Sequence, residues 1–139
     1  MMSDVLDLSI AELVARVKSG SLTARQVTEA ALLRIEATRD LNAFLYVAKD
    51  AALAAAERVD QKRSRGEALG KLAGVPIAIK DALCTTDAPT TCASKILTKV
   101  GDGNSGGTDP EHGFRAPYDA TVVARLRAAD AILIGKANM

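Results

Sequence analysis

The sequence predicts an α/β fold in which helices pack on a mixed β-sheet, and three observations carry that prediction. Helix-start signals and helical spacing of apolar residues dominate the first half of the chain. Two short, almost wholly apolar runs, residues 72–79 and 131–135, read as strands buried on both faces. A helical segment leads directly into the second run, as layered α/β architectures require.

The elements follow in order. Ser9-Ile10-Ala11-Glu12 has the form of a capping box, in which the Ser9 hydroxyl and the Glu12 carboxylate satisfy backbone N–H groups at a helix start. Ile10, Leu13, Val14 and Val17 then form one apolar face, and Gly20 ends the helix. Thr23-Ala24-Arg25-Gln26 is a second capping box, opening a helix that runs to about Thr38 with Val27, Ala30, Ala31 and Ile35 inward. Residues 42–47 are rich in β-formers and predict a strand. Asp50 is placed to cap a third helix, whose face of Ala52, Ala55, Ala56 and Val59 is small enough for a neighbour to pack very close. Gly66 stops that helix. The basic cluster Arg58, Lys62, Arg63 and Arg65 lies in its last turns, where cations complement the helix C-terminus. An RNA contact is the other role open to the cluster. Pro76 fits near the beginning of the first buried strand. Asp119 caps a helix over residues 120–129, with Val122, Leu126 and Ala129 on one side.

Composition bounds the function. A chain of 139 residues is the usual size of one domain, and 48% hydrophobic with 25% charged residues fits a globular protein rather than a disordered one. The net charge of +1 gives no global pull toward nucleic acid or an anionic membrane. Four aromatics, Phe44, Tyr46, Phe114 and Tyr118, are too few for a base-stacking platform. Cys84 and Cys92 lack further ligands at zinc spacing and read as reduced thiols. The acidic N-terminus resembles neither a secretory signal nor a transit peptide, and no apolar run approaches the ~20 residues of a membrane span.

Lys80 is the residue with the most to say about chemistry. It ends an apolar strand, where burial would lower its pKa and let a neutral amine act as a base. The alternative is a lysine that pairs with a carboxylate or reaches solvent. Gly101-Asp102-Gly103-Asn104-Ser105-Gly106 matches G-x-G-x-x-G, but Gly107-Thr108-Asp109-Pro110 does not start the helix that a pyrophosphate site needs. Residues 101–113 therefore read as a glycine-rich loop, and His112 within it lacks the rigid setting of a catalytic triad.

At Leu72-Ala73-Gly74-Val75-Pro76-Ile77-Ala78-Ile79-Lys80-Asp81 the chain resembles the amidase signature family. Pro89-Thr90-Thr91-Cys92-Ala93-Ser94-Lys95-Ile96-Leu97 narrows the resemblance, as does Ala116-Pro117-Tyr118-Asp119-Ala120-Thr121-Val122-Val123, running on to Gly135-Lys136-Ala137-Asn138-Met139. These motifs, in this order, are similar to the branch of the family that hydrolyses glutamine for tRNA-dependent amidation. The resemblance covers nearly the whole chain except the 101–113 loop.

The resemblance implies a Ser–Ser–Lys mechanism with Lys80 as the catalytic lysine, working through a bridging serine on the nucleophilic serine that attacks the glutamine amide. Ammonia would pass to a partner subunit, where Glu-tRNA(Gln) or Asp-tRNA(Asn), activated with ATP and Mg2+, is amidated. The implied partners are glutamine, the amidotransferase B and C subunits and, through the complex, misacylated tRNA. No cofactor or metal is expected on this chain itself, and the implied location is cytoplasmic. The family's two serine motifs lie beyond the equivalent of Met139, so residues 1–139 read as the N-terminal portion of an amidase-signature domain. Ser94 and Ser105 are not substitutes for those serines. Two further departures are the insertion-like 101–113 loop and Ala82, where relatives often have Asn. The rival readings are an amidase of the same family acting on other small amides, and a non-catalytic product that binds partner subunits. The chain alone is expected to be inactive and to be poorly folded or self-associating, because its strands would lack neighbours.

Overall fold

The computed structural model describes residues 5–97 and 113–139. Its elements are α1 (Ile10–Ser19), α2 (Ala24–Ala37), β1 (Phe44–Val47), α3 (Lys49–Ser64), β2 (Pro76–Lys80), α4 (Thr121–Ala128) and β3 (Ile132–Ala137), with short 3₁₀ turns at Arg39–Leu41 and Lys95–Leu97. The α/β class and the helix-then-strand order agree with the sequence.

Both capping boxes form. Ser9 Oγ accepts from the Glu12 N–H at 3.3 Å while Glu12 accepts from the Ser9 N–H at 3.1 Å, which holds the Glu12 carboxyl below its ordinary value. Thr23 and Gln26 exchange the same pair of bonds at α2. Gly20 ends α1 at φ +82°, a left-handed conformation that a residue with a Cβ adopts at a cost. At the end of α3 the Gly66 N–H bonds to Arg63 O and the Glu67 N–H to Lys62 O, the paired bonds of a Schellman motif.

Other caps differ from expectation. Asp50 does not cap α3: it lies inside the first turn, and the cap position belongs to Ala48, whose N–H is already held by Ile134 O of β3 at 3.0 Å. Asp119 does not cap α4 either. Its carboxylate is taken by the Thr86 N–H at 2.8 Å and by Arg127 Nε at 2.9 Å. Conversely, Asp60 of α3 accepts from the N–H groups of Ala24 and Arg25, a cap for α2 supplied from 35 and 36 residues away.

The sheet has the order β1-β3-β2, with β1 antiparallel and β2 parallel to the central β3. The main core joins Leu13, Val14 and Val17 of α1, Val27 and Ala31 of α2, Ala52, Ala56 and Val59 of α3, and Ile132 and Ile134 of β3. The small face of α3 is buried as the alanine spacing requires, which lets α2 lie close against it. Ile10 is not part of that core. It occupies the first turn of α1 and is 59% exposed, while Val5, Leu6 and Leu8 from the preceding segment pack there instead.

A smaller cluster, Ile79, Val123 and Leu133, lies between β2, β3 and α4. The inward residue of α4 is thus Val123, not Val122, which is exposed. The apolar run at residues 72–79 predicts a strand buried on both faces, but β2 is an edge strand covered on one. Ile79 is buried, whereas Ala78 and Lys80 are exposed. Only β3 has the wholly buried character that both apolar runs suggest.

Candidate functional site

The β2/β3 pairing decides which way two lysines point. Along β2, Pro76 and Ile77 face Ile132 and Leu133, but Ala78 faces Gly135, so β3 carries one extra residue at Ile134. Cross-strand partners share a face, so this bulge brings Lys136 beside Ile79 and leaves Lys80 opposite Ala137, on the other face. Gly135 permits the close pairing on the β1 side, since a Cβ there would stand 2.3 Å from Tyr46 O.

Lys80 projects from the end of β2 into the open. It is exposed, and its Nζ donates to the backbone oxygen of Asn138 at 2.7 Å. Of the fates the sequence leaves open for this lysine, the described residues give the solvent-reaching one. The desolvated amine expected of a base requires a covering surface on the face that β2 leaves bare.

Lys136 is the buried lysine, 1% exposed. Its Nζ donates to Leu83 O at 2.9 Å, Pro89 O at 3.0 Å and Thr90 Oγ1 at 2.8 Å, and stands 3.5 Å from Asp81 Oδ1. Burial pushes its amine below the ordinary lysine value, and the Asp81 carboxylate opposes that shift. Asp81 is itself buried and gathers residues 91–93. It accepts from the Thr91 N–H at 3.2 Å, from the Thr91 hydroxyl and from the Ala93 N–H at 3.1 Å. Cys92 and Ala93 within that turn have φ of +53° and +54°. Sequence reasoning missed Lys136, although the signal was the same one that singled out Lys80: a lysine ending an apolar strand.

A second polar cluster anchors α4. Arg127 lies 2.8 Å from Asp87 Oδ1 and 2.9 Å from Asp119 Oδ2. Burial pulls the Arg127 guanidinium down, but the two carboxylates outweigh it and hold the group above its ordinary value. Burial likewise raises Asp119, while the Thr86 amide and Arg127 outweigh it and leave that carboxyl below its ordinary range.

The basic cluster at the end of α3 is largely engaged in structure. Lys62 pairs with Asp130 at 2.8 Å, Arg63 donates to Val17 O and Leu22 O at 3.3 Å, and Arg65 lies 3.6 Å from Glu67. The Lys62 and Arg63 bonds tie α3 to the ends of α1 and α4. Cys84 and Cys92 are free thiols. Among the described residues no group of three or more His, Cys, Asp or Glu side chains could hold a metal ion, and no helix is long and apolar enough to cross a membrane. His112, Ser105 and most of the 101–113 loop lie outside the described residues.

The motif order, the helix-covered mixed sheet and a lysine at the end of β2 define a class. The amidase family model matches residues 26–139, and the chain belongs to that family. Within it, the chain is similar to the A subunit of glutamyl-tRNA(Gln) amidotransferase from Streptomyces coelicolor, with 51% identity over 99% of this chain and 25% of the relative. The corresponding protein of Chloroflexus aurantiacus is 45% identical over 99% of this chain and 26% of its own length. Among solved structures, the peptide amidase of Stenotrophomonas maltophilia superposes with a TM-score of 0.78 at 32% identity, covering 94% of this chain and 24% of that one. The chain thus spans about a quarter of the length of the curated relatives it matches.

Proposed function

We propose that this chain is the N-terminal portion of a glutamine-hydrolysing subunit that supplies ammonia for ATP-dependent amidation of Glu-tRNA(Gln) or Asp-tRNA(Asn). The observation that carries the reading is 45–51% identity, along almost the entire chain, to relatives named as the A subunit of glutamyl-tRNA(Gln) amidotransferase. The same family includes amidases with other substrates, and the likeness to the peptide amidase is lower, at 32%.

In this reading Lys80 is the base. Acting through a bridging serine, it removes the proton of a serine hydroxyl, whose oxygen attacks the glutamine side-chain carbonyl carbon. The carbon–nitrogen bond breaks, the proton passes to the leaving nitrogen, and ammonia departs. Water then hydrolyses the acyl-enzyme and releases glutamate. Both serines come from outside residues 1–139, so the chain alone is expected to release no ammonia. The exposed face around Ala78 and Lys80 supports this division of labour: a surface laid over it would desolvate the amine and complete the site. The amidation step, with ATP and Mg2+, belongs to partner subunits of the B and C type.

The test uses a completed enzyme, made by joining this chain to the region that follows the match in the Streptomyces coelicolor relative. Glutamine-dependent ammonia release should fall about 10²–10⁴-fold in Lys80→Ala, while amidation with free ammonia persists. Lys80→Arg should fail almost as badly, because a guanidinium stays protonated. Near-normal glutaminase activity in Lys80→Arg would show that the lysine is structural. Faster hydrolysis of other small amides than of glutamine would favour the alternative amidase reading.

A further inference from the structure

We infer that Lys136 is a positioning residue for Lys80: its buried ammonium is the internal cation around which the end of β2 and residues 81–93 assemble, and Lys80 takes its place from that assembly. The link to catalysis rests on the reading of Lys80 as a base; the assembly itself does not.

The surroundings of Lys136 Nζ have the composition of a cation site. Two backbone carbonyls, Leu83 O and Pro89 O, can only accept hydrogen bonds, and Thr90 Oγ1 is the third partner. An ammonium offers three N–H groups to three acceptors. The Asp81 carboxylate at 3.5 Å balances the charge, and with both residues 1% exposed neither charge has water to fall back on. Removing one partner would strand the other.

Each contact fixes a different stretch of chain. Leu83 and Pro89 stand at the two ends of the excursion after β2, so one ammonium closes it. Asp81 carries the order onward by holding Thr91 and Ala93, while its own carbonyl accepts from the Cys92 N–H at 3.2 Å. That grip matters because Cys92 and Ala93 are both left-handed, a conformation unfavourable to residues with a Cβ. Lys80 is tied to the clasp twice. Its backbone leads into Asp81, whose N–H donates to Ala137 O at 3.1 Å, and its amine donates to Asn138 O at 2.7 Å. Ala137 and Asn138 directly follow Lys136, so the clasp fixes both the root of the Lys80 side chain and the carbonyl its amine meets.

The experiment combines amide hydrogen exchange with brief lysine acylation read by mass spectrometry, on the completed enzyme and its variants. In Lys136→Met the Thr91 and Ala93 amides should exchange about tenfold faster or more, the scale of one lost buried hydrogen bond, with α1–α3 little changed. Lys80 acylation should rise toward the rate of the exposed Lys71. In Lys136→Ala, methylammonium chloride should restore protection saturably, and sodium chloride at the same ionic strength should not. The inference is overturned if Lys136→Met leaves Thr91, Ala93 and Lys80 at wild-type rates, or if sodium restores protection as well as methylammonium. Should both Lys136 variants fail to fold, Thr90→Val removes a single acceptor at nearly constant volume. Acceleration confined to residues 81–93 then supports the clasp, and acceleration spread equally over α1–α3 refutes it. The two readings separate in the completed enzyme. If Lys80→Ala keeps glutaminase activity while the exchange pattern holds, the base reading fails and the clasp stands; activity lost with an unchanged exchange pattern gives the reverse.

Discussion

The helix-covered half of the molecule and the half beyond β2 are held together by different forces. Between α1, α2, α3 and β3 the contacts are mostly apolar side chains meeting one another, with a few polar links such as Arg25 to Glu57 and Asp60 to the start of α2. Around residues 81–97 and 113–128 a small apolar cluster at Ile79, Val123 and Leu133 is joined by ionic and polar fixed points, the buried Asp81 with Lys136 and the partly exposed Arg127 with Asp87 and Asp119. Several large apolar residues there turn outward: Ile96 is 91% exposed, and Phe114, Tyr118 and Val122 are also exposed. The first half is bound chiefly by its apolar core, whereas the second is fixed chiefly by directional bonds. Non-directional apolar packing suffices to fill a core, but a segment that must hold a lysine and a left-handed turn in place without a core needs directional bonds.

This contrast is tested hardest at the core. Ile132→Ala, in the central strand with no exposed surface, should cost about 2–5 kcal/mol in denaturant unfolding. Ile96→Ser, on the uncovered side, should change stability by no more than about 0.5 kcal/mol. Equal losses at the two positions would erase the distinction between the halves.

Gly135→Ala probes the close approach of β1 to β3. Its Cβ would meet Tyr46 O, a backbone atom that cannot swing aside, so a loss of about 1–3 kcal/mol is expected, along with faster amide exchange in β1.

The polar half should respond to acid. Asp119 has a folded pKa below the ordinary carboxylate value, so the stability it contributes is present above its unfolded value of about 3.9. That contribution is lost as pH falls through the lower, folded value. Thermal melts of the wild type against Asp119→Asn should therefore differ at neutral pH by about 1–2 kcal/mol and converge at acid pH. A difference that persists undiminished below both values would assign the effect to shape rather than charge. A smaller loss is expected at the first helix, where Ser9→Ala should remove about 1 kcal/mol in denaturant unfolding through the lost cap.

Much of the helical half was legible in the sequence, because its determinants are local. Capping boxes, Gly20 and Gly66, and apolar spacing act within a few residues of one another, and α1, α2 and the end of α3 follow them. The capping errors come from bonds made to other parts of the chain: Asp50 and Asp119 have the composition of caps, but Ala48 was already bonded to β3 and Asp119 to Thr86 and Arg127.

The α/β class, the order of the elements, both capping boxes and the family could all be read from the chain alone, since each is written in residues close together or in motifs of fixed order. Which lysine is buried could not. Lys80 and Lys136 both end apolar strands, and nothing local separates them. One strand lies at the edge and the other in the centre of the sheet, and a single extra residue in β3 turns Lys136 toward four oxygen atoms while Lys80 faces the open side. Because side chains alternate along a strand with period two, a one-residue change of register exchanges the two faces, and register is set by pairing between segments more than fifty residues apart.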